Sequence, residues 1–215
     1  MIISVTGSHR RSRSPELATL RLRLEFEAAE PAGPMARLRE AVAELSAAAR
    51  ELEARPEAPI GKWSVGAPST RTWTPYDDRG AAQPPRFAAW AQAEVEFADF
   101  EALGAAAADW GRREGWSLQG VSWSLRDETA RQLRDEVTAE AVRDAAHRAE
   151  VIAGASGAGP VRVFEIRDPD VGPEPQLMAM GVSAKSFGRE MAPDGLVIEP
   201  APIWVEATVH ARFEA

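Results

Sequence analysis

The chain has 215 residues, 45% of them hydrophobic and 27% charged, which is the profile of a folded globular protein and not of a disordered one. Twenty-five basic residues against 33 acidic ones leave a net charge of −8, which repels a phosphate backbone and argues against nucleic acid as a general partner. There is no cysteine, so disulfides, thiolate metal sites and cysteine nucleophiles are excluded together, and no run approaches the roughly 18 apolar residues of a membrane span.

Ile2, Ile3 and Val5 predict a short opening strand that stops at Gly7, followed by HRRSRS as a basic loop. A second strand follows by strict alternation, with Leu20, Leu22, Leu24 and Phe26 on one face and Arg21, Arg23, Glu25 and Glu27 on the other. The EPAGP break introduces a helix from about Pro34 to Arg55, whose seam is Met35, Leu38, Val42, Leu45, Ala49 and Leu52. That seam is too short for a coiled coil, so the helix is expected to lie on a sheet.

Residues 60–98 read as two strands joined by a polar hairpin-like connection, TPYDDRGAAQPP. Ala89, Ala91, Ala93, Val95 and Phe97 share the inward face, which turns Trp90 outward. Asp99 caps a short helix in DFEALGAAAADWGRR, Gly115 ends it, and WSLQGVSWSL forms the next strand.

The longest helix lies within RDETARQLRDEVTAEAVRDAAHRAEVIAGASG, residues 126–157. Its stripe is Ala130, Leu133, Val137, Ala141, Ala145, Ala149 and Ile152, small enough for close approach to a sheet. Asp127 with Arg131 and Asp144 with Arg148 form favourable i,i+4 pairs on its wet side, and His147 projects away from the stripe. Gly154 and Gly157 end the helix and VRVFEI follows as a strand.

Residues 168–200 have many prolines and glycines and no sustained periodicity, and predict a long loop. The chain closes on a strand with Ile203, Val205, Ala207, Val209 and Phe213 on one face and His210 on the other. The order points to a single α+β domain over 1–215, a mostly antiparallel sheet with two or three helices packed on one face.

Candidate sites are few. His9 and His210 stand near opposite ends of the chain and could meet if the first and last strands pair; no HExxH-type spacing accompanies them, so no metal ligand is assigned. Asp168, Asp170 and Glu174 lack the spacing of a calcium loop and are read as turn chemistry. No GxSxG serine and no phosphate-binding glycine loop occurs, so no catalytic residue and no cofactor site is assigned. The outward Trp90 and Trp204 suit an interface, and Met178, Met180 and Met191 suit an adaptable ligand loop.

Taken in order, IISVTGSHRRSRSPELATLRLRLEFEA, EVEFADFEALGAAAADWG, GVSWSLRDETARQLRDEVTAEAVRDAAHRAEVIAGASGAGPVRVFEI and IEPAPIWVEATVHARFEA resemble the SIMPL domain family, which includes bacterial periplasmic immunogenic proteins. The glycine and acid usual before that family's last strand are replaced by Ala201 and Pro202. The resemblance implies a single α+β domain, a tendency to self-assemble into homo-oligomers, and a poorly defined role sometimes linked to stress or signalling, and it offers no established catalytic residues to carry across. Family members commonly carry an export signal, whereas this chain starts almost directly in its first strand, so a cytoplasmic location is expected. The resulting expectation is a nonenzymatic domain that acts by self-association or by binding a protein partner. The alternative is a small-molecule-binding protein or hydrolase with a pocket under the 168–200 loop.

Overall fold

The computed structural model describes residues 1–169 and 200–215. Its described residues form eight strands and three helices, all strand pairing is antiparallel, and the class is α+β. The strands are divided between two sheets, each with its own helical cover, and the chain separates into two compact units.

The first unit comprises, among the described residues, 1–15, 125–169 and 200–215. Its sheet has the order β1 (Ile2–Arg13), β8 (Ile203–Glu214), β7 (Arg162–Arg167), so the two ends of the chain pair along their whole length. The helix α3 (Asp127–Ala155) rests on β1 and β8. The alternation predicted for the last strand holds: Ile203, Val205, Ala207, Val209 and Phe213 are all buried.

The first strand departs from expectation, since it runs on through Gly7 to Arg13 and the basic segment is strand rather than loop. Gly7 is there for space and not to stop the strand. A Cβ at this position would lie 2.5 Å from the backbone nitrogen of Ala145 and 2.7 Å from its Cβ. The absent side chain therefore lets α3 settle directly onto β1, where Ala141, Ala145 and Ala149 are fully buried. The stripe ends differently from the prediction: Ala153 is buried and Ile152 is 43% exposed. Close approach selects the small side chain over the more hydrophobic one beside it.

The second unit comprises 16–124 among the described residues. Its sheet has the order β3 (Ile60–Val65), β5 (Arg86–Phe97), β2 (Leu17–Ala28), β6 (Trp116–Ser124), with β4 (Ser69–Trp73) also on β5. Two strands were expected over 60–98 and three are present. The sequence Gly66-Ala67-Pro68 interrupts the edge, leaving β3 paired with the last half of β5 and β4 with the first half. The Gly66 N–H donates to Gln92 O at 2.8 Å and keeps the two pieces on one line. The connection back to β5 is held by Asp77, whose carboxylate accepts from the amides of Arg79 and Ala81 at 2.9 and 2.8 Å, while Gly80 takes the positive φ the turn requires.

Helices α1 (Ala32–Glu53) and α2 (Phe100–Trp110) cover this sheet. They bury Leu38, Leu45, Leu103 and Trp110 against Leu20, Leu22, Leu24 and the alanines of β5. Each such leucine contributes about 1.5–3 kcal/mol by leaving water. Asp99 caps α2 as its position in the sequence predicts, accepting from the amides of Glu101 and Ala102 at 2.8 and 3.2 Å.

Candidate interaction surface

The two tryptophans singled out as outward are both roofed by arginine. Trp204 on β8 is 45% exposed, and the Arg10 guanidinium lies 4.2 Å from its ring centroid. Trp90 on β5 is half-buried under Arg23, which stands 5.0 Å from the ring. Alternation places Arg23 and Trp90 on the outer face of the same sheet, and Arg23 also donates through Nε to Glu25 at 2.7 Å. That hydrogen bond holds the Glu25 carboxyl below the usual carboxylate range, with help from the charges of Arg23 and Arg71. Each indole thus has one face committed to an intramolecular stack, which limits it as an anchor for a partner. Met178, Met180 and Met191 lie outside the described residues, as do Asp170 and Glu174.

The first and last strands do pair, but their register keeps the histidines apart. His9 stands opposite Ala207 and His210 opposite Thr6, so alternation puts the two imidazoles on opposite faces. The His210 Nδ1 lies 3.0 Å from Thr6 Oγ1, a cross-strand contact. His147 is exposed on α3. Among the described residues no group of three or more His, Cys, Asp or Glu side chains is placed to hold a metal ion.

The arginines of HRRSRS are occupied within the first unit. Arg11 pairs with Glu136 of α3, Arg13 reaches the same carboxylate at 3.7 Å, and Arg10 covers Trp204. The predicted Asp144–Arg148 pair serves a different purpose, because both side chains bond the backbone of β1. The Ser8 N–H donates to Asp144 Oδ2 at 3.0 Å, and Arg148 donates to Thr6 O. Arg131 likewise turns to a backbone carbonyl, that of Asp127, at 3.3 Å.

Exposed apolar surface is unevenly distributed. Val163, Phe164 and Ile166 of β7 are 54%, 58% and 42% exposed. The cause is local: Val163 and Ile166 pair with the buried Phe213 and Ala211, yet α3 rests on β1 and β8 and leaves β7 uncovered. Phe164 lies at a register shift and carries Arg212 5.2 Å from its ring. Glu165 is the polar member of the strand, and donation from Arg167 at 2.8 Å, then from Arg212 at 3.3 Å, draws its carboxyl below the ordinary range. Among the described residues no strand pairs with the far side of β7. Among those residues β7 is therefore an edge strand, the kind of position that accepts strand addition.

Sequence reasoning placed a strand at VRVFEI and missed its exposure. A short run of β-branched and aromatic residues reads the same whether it is central or at an edge.

A family model described as SIMPL, Protein of unknown function (DUF541), matches residues 3–213. None of the curated proteins compared with the chain matches it.

Proposed function

We propose that this chain, which belongs to the SIMPL family, is a nonenzymatic domain that works by association, with copies of itself or with a protein partner. The supporting observation is the β7 edge, where three large apolar side chains lie on a strand that, among the described residues, pairs on one side only. Open edge strands of this kind accept a further strand through main-chain hydrogen bonds, with alternate side chains adding apolar contact. A role linked to stress accompanies this reading and rests on the resemblance alone. No helix among the described residues is long and apolar enough to cross a membrane.

The test is the mass in solution at micromolar concentration, measured by light scattering for the natural chain and for V163K/I166K. Oligomers that fall to monomers in the variant, with the melting temperature retained, are the expected result. A natural chain that stays monomeric, and whose β7 variant retains every partner captured by the natural chain, overturns the reading.

A further inference from the structure

The two edges of the first sheet are treated differently, and the difference is built from three residues. Met1 and Ala215 exchange both backbone hydrogen bonds, so odd positions of β1 bond β8 while the amides and carbonyls of even positions point away from it, to a side where no strand pairs among the described residues. Thr6 O and Ser8 N–H are therefore edge groups, one on each side of Gly7. These are the groups bonded by Arg148 and Asp144, one turn apart on α3. Together the guanidinium and the carboxylate present one donor and one acceptor, as a single residue of a parallel neighbouring strand would. The clip reaches the edge because Gly7 lets α3 down onto β1 at Ala141 and Ala145.

We propose that Asp144 and Arg148 guard the β1 edge: they occupy its central backbone groups and so prevent a second copy of this chain from adding a strand there. β1 has twelve residues, long enough to template a full strand, and the guard interrupts that template at its middle. Natural sheets commonly blunt exposed edges with charged side chains, and here the charges also take up the backbone hydrogen bonds. The guard is independent of the association proposed for β7, because the mass of the natural chain tests the one and the change on releasing the clip tests the other.

The experiment is D144A/R148A, followed by light scattering at micromolar concentration and a thermal melt by circular dichroism. The variant should melt cooperatively and show at least a doubling of weight-average mass over the natural chain. Adding Ser8→Pro removes the outward N–H, which proline tolerates on an edge strand, and should return the mass to the natural value. A cooperatively folded double variant with unchanged mass overturns the guard, as does a mass increase that Ser8→Pro fails to reverse. Hydrogen exchange on the natural chain supplies a measure independent of the variants' folding. The Ser8 amide should exchange at least tenfold more slowly than the outward amide of Ser4, and equal rates refute the clip.

Discussion

The two units cover their sheets in opposite ways. In the first, the half of α3 beyond Leu133 and Val137 supplies small residues, Ala141, Ala145 and Ala149, and the strands beneath carry Ile3, Val205, Val209 and Phe213 around Gly7. In the second, the helices supply Leu38, Leu45, Leu103 and Trp110, and the strand β5 beneath them is alanine at 89, 91 and 93. Both arrangements fill the space between helix and sheet, but they fail differently. A layer of small residues is limited by backbone approach and tolerates no added atom; a layer of large residues is limited by volume and tolerates no lost one.

The largest expected effect lies in the large-residue layer. Phe97 is fully buried and packs against Trp110, with ring centroids 6.2 Å apart. Phe97→Ala should cost about 3–5 kcal/mol, read as a lower urea midpoint at unchanged slope. A loss below about 1 kcal/mol would show that this layer can collapse to fill a void and would erase the contrast.

Gly7→Ala tests the small-residue layer by adding one methyl where the nearest obstacles are backbone atoms of α3. The expected loss is about 1–3 kcal/mol. Faster exchange at Ser8 should accompany it, because lifting the helix draws Asp144 away. A neutral Gly7→Ala would mean that α3 does not approach β1 as closely as described.

The smallest effect is electrostatic. The hydrogen bond from Arg23 lowers the folded-state pKa of Glu25 relative to the unfolded chain. A depressed carboxylate contributes stability that is complete above its unfolded-state pKa, roughly 4.3, and that disappears as pH falls through the folded value. Glu25→Gln should therefore cost a few tenths of a kcal/mol at neutral pH, the usual scale for an ion pair in contact with water, and nothing in strong acid. A loss that persists at low pH would assign the effect to packing.

Much of the fold was legible because alternation and the spacing of apolar residues report burial directly. Leu20 through Phe26, Ala89 through Phe97, Ile203 through Phe213 and most of the α3 stripe are buried as their periods predict. What was not legible depends on contacts distant in sequence. Gly7 reads as a strand stop because glycine usually punctuates; its reason here is a helix more than 130 residues later. Asp144 and Arg148 read as an i,i+4 pair because the sequence does not show that an open strand edge lies within their reach. The division of the strands between two sheets has no local signature, since each strand alternates in the same way whichever neighbour it takes.

The tryptophans divide unequally between the units. Six of the seven indoles, at 63, 73, 90, 110, 116 and 123, belong to the second unit, and Trp204 alone belongs to the first. The chain thus carries its own optical label: Trp204→Phe leaves an emission spectrum that reports one unit, and the difference from the natural chain reports the other. Because Arg10 lies over that single ring, the difference signal also registers whether β1 and β8 remain zipped at the end of the ladder far from Met1 and Ala215, where Ser12 faces Trp204.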